Sequence, residues 1–209
     1  MMTDPTRLSL SLHEIIRGRR SVRRLAERPV AREHLLTMLD AARWAPSPHG
    51  RQPWRFAVLT GIRSKERLAD AMGAEWRRQL AFDGQETATI ELRAQRSYDR
   101  IVRAPVVIIP CLYTAVMDIY PDANRNIAET TMAVQSLGCA VQNMLLTAYA
   151  LGLDCGWMCA PLFCPAIVTA TLGLDPLLTP HALITVGYAA ADPVRRARLP
   201  LEQLIVWVD

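Results

Sequence analysis

Lysine is almost absent from these 209 residues: Lys65 is the single one, so nearly every cation is an arginine. Arginine keeps its proton at physiological pH, whereas lysine is the cation that burial converts into a base or a Schiff-base former. Lysine-based covalent chemistry therefore has one candidate at most. No CxxC pair occurs either. The cysteines are Cys111, Cys139, Cys155, Cys159 and Cys164, and the spacings among the last three suit no zinc ribbon or knuckle. The histidines, His13, His34, His49 and His181, show no ligand spacing, and neither an HExxH helix nor a GxSxG elbow is present. No metal site and no acid–base triad is expected. The phosphate-cradling GxGxxG and Walker motifs are missing too, so a phosphate would have to be held by side chains. The opening residues contain no apolar run ahead of a small-residue cleavage site, so the expectation is a cytoplasmic protein with reduced, buried thiols.

What is present is ordinary for a globular protein: 51% hydrophobic and 21% charged residues, at a length that suits one domain spanning 1–209. The charge is uneven. Residues 1–60 hold 11 Arg against 5 Asp and Glu, a balance of +6, while the whole chain is +4. Solvated helix faces account for part of this excess; an anion site near the front is the sharper explanation, because the arginine fork binds phosphate in a bidentate way. A basic front also permits a non-enzymatic nucleic-acid binder. Single-strand binders interleave aromatic and basic groups, however, and residues 1–43 contain no Phe, Trp or Tyr, so no nucleic-acid partner is expected.

The pattern along the chain mixes helices with three apolar strands. Ser11, with Glu14 three residues on, predicts a capped helix at about 11–18. A second helix is expected over 31–45, with Leu35, Leu36, Leu39, Ala42 and Ala45 as its buried stripe. RFAVLT (55–60), VVIIPCLY after Pro105, and ALITVGYA (182–189) read as strands, the middle one apolar on both faces. Residues 64–103 read as exposed helix, WMCAPLF as irregular, and CPAIVTATLGL as a helix started by Pro165. A long helix is expected over roughly 124–151. From Thr130 to Leu153 it has no charged residue, long enough to cross a bilayer, but Gln135, Ser136, Gln142 and Asn143 lie in its middle. A helix buried in the core or at a dimer interface is therefore expected, and no membrane partner. These elements indicate an α/β or α+β sandwich rather than a bundle.

Two constellations carry the candidate chemistry. Arg19, Arg20, Ser21 and Arg23 crowd a helix-to-extended break, where three guanidinium groups and a hydroxyl can converge on a phosphate or simply form a basic surface. The loop Pro46-Ser47-Pro48-His49-Gly50-Arg51-Gln52-Pro53-Trp54 is stiffened by prolines and offers polar contacts before a strand; alternatively it is a rigid turn whose Trp54 packs in the core.

Taken together, RRSVRRLAERPV and EHLLTMLDAARWAPSPHGRQPWRFAVL resemble the N-terminal signature of the nitroreductase family. The likeness continues through GLDCGWMCAPLFCPAIVTATLGL, the ITVGY strand and Arg195-Arg196-Ala197-Arg198-Leu199-Pro200. It implies an α+β, three-layer α/β/α fold with a mixed sheet flanked by helices, and a domain-sharing homodimer with FMN at its interface. By that resemblance Arg19, Arg20, Ser21 and Arg23 hold the FMN phosphate and ribityl chain, and Arg196 and Arg198 approach the phosphate from the C-terminal segment. Pro46, Ser47, Pro48, His49 and Gln52 would reach the flavin from the partner subunit. Gly50 stands where many relatives have Asn, and His49 either substitutes for that contact or faces solvent. Cys159, Ala160 and Leu162 fall on the segment whose amides face flavin N5; Pro161 has no N–H, so Ala160 and Leu162 are the expected donors, with Cys159 a small packed residue.

The implied activity is two-electron transfer through the flavin, with reduced nicotinamide, NAD(P)H, as a candidate donor and a nitro or quinone compound as acceptor. Trp76 and Phe82 are expected to cover the flavin face, or the 64–103 segment to be an excursion without ligand contact. A narrower likeness, carried by RAPVVIIPCL, YPDANRNIAETTMAV, GCAVQNMLL and LFCPAIV, is to the C-terminal domain of the bacterial enzyme that completes the deazaflavin coenzyme F-420. It implies reduction of a dehydro precursor of that coenzyme.

Overall fold

The structure is a computed structural model that describes residues 7–191 and 197–208. The chain opens with helix α1 (Leu12–Gly18) and a two-residue strand β1 (Leu25–Ala26), followed by helix α2 (Arg32–Arg43) and strand β2 (Trp54–Leu59). Two helices come next, α3 (Ile62–Phe82) and α4 (Thr87–Val102), then strand β3 (Val106–Tyr113) and the long helix α5 (Ala123–Ala150). Strand β4 (Asp154–Met158), helix α6 (Pro165–Leu172) and strands β5 (Leu178–Pro180) and β6 (Leu183–Ala189) complete the regular elements. The capping box foreseen for α1 is present: Ser11 N–H donates to Glu14 at 2.8 Å, and Glu14 N–H donates to Ser11 Oγ at 3.3 Å.

β3 lies at the centre. It pairs with β2 from Trp54–Leu112 to Leu59–Val107, while β6 and β5 share its other side at residues 106–108 and 111–113. β4 and β1 pair with β6. Every ladder is antiparallel, and the parallel component of the expected mixed sheet is the isolated bridge Ser21–Cys155. Pro110 would ordinarily be out of place in a central strand. Its carbonyl accepts from His181 N–H at 2.9 Å, and a strand residue points its N and O to the same side. The donor that Pro110 lacks therefore falls in the gap between β6 and β5, where no ladder bond is lost.

Alternation along β3 separates two cores. Val106, Ile108 and Leu112 pack with α2 and α5; Val107, Ile109 and Cys111 pack with α3 and α6. Helices thus cover both sheet faces, giving the α/β/α arrangement.

Several expectations are corrected. Leu36 is 54% exposed and Met38 fully buried, because the buried face of α2 runs through Leu35, Met38 and Ala42. Residues 64–103 are not simply exposed: α3 and α4 are amphipathic and bury Leu68, Ala69, Met72, Ile90, Ala94 and Ile101. The first two residues of the segment read as irregular, Trp157 and Met158, end strand β4, hidden from periodicity by its Gly156 and by the short length of the run. β1 and β5, of two and three residues, gave no signal. Cys139 and Cys159 are exposed rather than buried, and the cysteines are free. Among the described residues no helix is long and apolar enough to cross a membrane. α5, uncharged from Thr130 onward, instead buries one face, through Ala133, Leu137, Ala140, Val141, Met144 and Ala148.

Ile108 is fully buried between β2, β6 and the α5 core. Ile108→Ala should cost about 2–5 kcal/mol of unfolding free energy, read from the urea midpoint at unchanged m-value.

Candidate functional site

The arginine-rich segment after α1 is laid against β4. Val22 N–H donates to Cys155 O at 2.8 Å, next to the Ser21–Cys155 bridge. This approach requires glycine at 156, because a Cβ there would stand 2.5 Å from Val22 O and 2.8 Å from Thr185 Oγ1. A second close contact sets α1: a Cβ on Gly18 would overlap the Tyr149 ring on α5. Arg7 stacks on that ring at 4.0 Å and reaches the buried Asp154 at 3.6 Å, a clamp that no sequence pattern announced.

The four residues of this segment behave differently. Arg19 is half-buried, its Nε is buried without a hydrogen-bond partner, and burial first, then the neighbouring Arg198, holds its pKa below the ordinary arginine value. Cationic groups crowded together, one with an orphaned donor, form a seat for an anion. Arg20 turns back instead: its guanidinium donates to the carbonyls of Arg17, Gly18 and Arg19, closing the C-terminus of α1. Ser21 and Arg23 are exposed. Arg23 lies near Arg100 of α4, whose pKa is lowered by burial and then by this neighbour. Arg196 lies outside the described residues.

The proline-rich loop forms a 3-10 turn at Pro48–Gly50, with His49 and Gln52 in left-handed conformations at φ 54° and 50°. Such strain costs of order 1–3 kcal/mol per residue and persists only where surroundings enforce it. Two contacts do so. Gln52 N–H donates to Ser47 Oγ at 3.0 Å, and Arg51 pairs with Asp118 at 2.8 Å while donating to Val116 O at 3.3 Å. The buried Glu129 lies 3.9 Å from Arg51 and accepts from Asp118 N–H at 3.2 Å. Pro46 and His49 are exposed, Trp54 is buried in the core, and the loop does not line the cleft between α3, α4 and β4.

A cleft of about 560 Å³ opens between α3, α4 and the end of β4. Cys159 and Ala160 are at its edge with Met158, Met72 and Trp76 also in the lining, and α4 contributes Arg93, Arg96, Ser97 and Arg100. Phe82 is 90% exposed and stays outside. Of the two amide donors expected here, Leu162 is removed: its N–H donates to Cys159 O at 3.1 Å within the 3-10 turn Ala160–Phe163. Ala160 opens that turn, where an amide has no partner inside the helix. Arg100 donates to Met158 Sδ at 3.4 Å. The α4 arginines escaped sequence reading because a basic residue on a surface helix is ordinarily only solvated. The described residues hold no group of His, Cys, Asp and Glu able to bind a metal.

Comparison with known proteins places this geometry. Residues 16–188 match the nitroreductase family. A Thermus thermophilus protein named NADH dehydrogenase is 29% identical over 194 residues, covering 90% of this chain and 92% of its own. The Bacillus subtilis protein YfhC, assigned as an NAD(P)H nitroreductase, is 25% identical over 91% of this chain and 90% of its own. Among solved structures, a Desulfovibrio desulfuricans protein assigned as a nitroreductase, in complex with FMN, superposes with a TM-score of 0.73 at 28% identity, covering 96% of this chain and 98% of that one. A nitroreductase-like protein from Bacillus cereus shares the fold at TM-score 0.74 and 21% identity, over 100% of this chain and 98% of that one. The chain belongs to the nitroreductase family.

Proposed function

We propose that this protein is an FMN-dependent oxidoreductase that works as a homodimer, accepts electrons from a reduced nicotinamide and delivers them to an organic acceptor such as a nitro or quinone compound. The observation that carries the reading is the orphaned Arg19 Nε beside Arg198, a phosphate-sized deficit of negative charge at the place where the family motif falls. The FMN complex of the Desulfovibrio relative and the NAD(P)H and NADH in the names of the others support it. When bound, FMN supplies hydride transfer at N5, the chemistry for which this chain has no side-chain apparatus of its own.

The chain's residues bind and orient. Arg19 and Arg198 neutralise the phosphate, with Ser21 supplying a neutral donor and Arg23 a further charge. Arg20 holds the α1 terminus that sets their positions. Ala160 N–H would be placed to donate toward the flavin, where a fixed donor stabilises developing negative charge. Pro46, Ser47, Pro48, His49 and Gln52 would contact the flavin of the other subunit. Cys159, exposed rather than packed, lies beside Ala160 in the cleft lining. Donor and acceptor use the cleft beneath α3 and α4 in turn, and Trp76 helps keep water from it.

The dimer reading rests on exposed apolar residues. Leu199, Leu201, Leu204, Val206 and Trp207 of the C-terminal segment are at least 63% exposed, and α5 leaves Ile127, Met132 and Val134 uncovered. A second copy of the chain is the occupant that would bury both sets. The narrower possibility, that the acceptor is a dehydro precursor of coenzyme F-420, rests on motif likeness in residues 103–168; the relatives carry reductase and dehydrogenase names instead.

Protein loaded with FMN and freed of excess should retain absorption bands at ~450 and ~375 nm; a colourless product overturns the cofactor assignment. Arg19→Ala and Arg198→Ala should each weaken FMN binding by about 10–100-fold, the loss of one charged hydrogen bond. Gly156→Ala forces the Arg19–Val22 segment off β4. It should cost about 1–3 kcal/mol of stability and weaken FMN as well, measured by thermal melts with and without the cofactor. Truncation after Pro200 should convert the dimer to monomer in light scattering.

A further inference from the structure

The family's cofactor chemistry leaves one part of the cleft unexplained: the arginines of α4. Arg93, Arg96 and Arg100 recur at three and four residues, so they share one face of the helix. An adjoining face, through Ile90, Ala94 and Ile101, is buried. The cationic face lines the cleft.

Neighbouring cations are mostly answered by carboxylates. Arg77 pairs with Glu91 at 3.0 Å, Arg78 with Glu75 at 2.6 Å, and Arg103 lies 3.9 Å from Asp99. Arg93 and Arg96 have no such partner among the described residues. Glu75 also lines the cleft, but it is held by Arg78 and Gln79. The remaining acid of the lining, Asp83, caps the far end of α3. Deeper in the cleft, the half-buried Arg100 has only a thioether as hydrogen-bond acceptor, and the nearby Arg23 adds like charge. A concave space of this volume, within the ligand-pocket range of roughly 300–1,000 Å³, therefore pairs apolar Met72, Trp76 and Met158 with unanswered guanidinium groups. Such a lining selects an aromatic or conjugated body carrying an anionic group.

We propose that the cleft is selective for an acceptor bearing a carboxylate or phosphate, with Arg93 and Arg96 receiving the anion while the reducible part lies against Cys159 and Ala160. The reducible part of this assignment rests on the flavin reading above; the anion preference does not. It follows from charges that the chain carries without any cofactor.

The test uses two probes of equal size, 4-nitrobenzoate and 4-nitrobenzamide, titrated against the quenching of Trp76 fluorescence in flavin-free protein, with Trp76→Phe identifying the signal. The benzoate should bind at least about tenfold more tightly, ~1.4 kcal/mol, and the preference should shrink as salt is added. R93Q/R96Q should abolish the preference, and R93K/R96K should restore part of it. In the FMN-loaded enzyme, the ratio of kcat/KM for benzoate over benzamide should fall by about the same tenfold factor in R93Q/R96Q. Equal binding of the two probes by the unmodified protein overturns the proposal, as does a preference that survives R93Q/R96Q or an absence of saturable quenching by either probe. A protein that discriminates the probes but retains no flavin would instead sink the oxidoreductase reading and leave the anion site standing.

Discussion

Everything in this fold hangs on β3 being buried on both faces. Its even-numbered residues feed the core under α2 and α5 and its odd-numbered residues the core under α3 and α6. Such a strand has no polar face to fix its register, since a one-residue slip exchanges one apolar set for another. The neighbours must supply the register, and the position of Pro110 is where they do. Its missing donor is harmless only at the junction of β6 and β5, so any shift would place it opposite a ladder donor or acceptor. A proline that would normally argue against a central strand thus helps to align one.

The site is assembled at the far side of that sheet, where β6 carries β4 and β4 carries the Arg19–Val22 segment. Its electrostatics differ from those of the paired parts of the surface. Several arginines elsewhere are balanced locally: Arg51 by Asp118, Arg77 by Glu91, Arg125 by Asp122. Isolated surface pairs of this kind contribute little to stability, whereas two clusters of guanidinium groups near the cleft lack such a carboxylate. Around Arg19 and Arg198 the deficit is half-buried, and along α4 it is more open. A guanidinium cannot relieve such crowding by losing its proton as lysine can, so an almost lysine-free chain keeps both deficits at every working pH.

Legibility in the sequence followed how local each cause is. The capping box of α1 lies within four residues, and the apolar run of β3 within eight, so both could be read directly. The Arg19–Arg23 cluster was visible for the same reason, but the division of labour inside it was not: Arg20 closes a helix end while Arg19 is left with an orphaned donor, a distinction that depends on where Cys155 and Arg198 arrive from distant parts of the chain. Gly156 illustrates the limit most clearly. In sequence it is a break in a short apolar run that obscures β4; in three dimensions it is the one residue small enough to admit Val22. The Arg51–Asp118–Glu129 contacts join segments 67 and 78 positions apart, and no periodicity encodes them. Family likeness nominated the flavin residues, Leu162 among them, but an amide's availability depends on the turn it sits in, and Leu162 N–H is taken up by Cys159 O.

The α3–α4 pair shows why specificity can sit on one layer and the cofactor on another. Its inner faces complete the second core, and Lys65, buried in α3, ties it to the start of β3 by donating to Ala104 O at 2.6 Å. Those contacts constrain only the inward positions. The exposed positions, Arg93 and Arg96 among them, belong to neither core, so changing them costs the fold little while altering the charge met by whatever enters the cleft. The Arg19–Val22 segment, proposed to hold the flavin phosphate, has no such freedom, because a side chain at Gly156 would meet Val22 and Thr185. Substrate preference can therefore drift along α4 while the electron-transfer machinery stays fixed, and the cofactor end of the cleft says less about the acceptor than the outer face of that one helix.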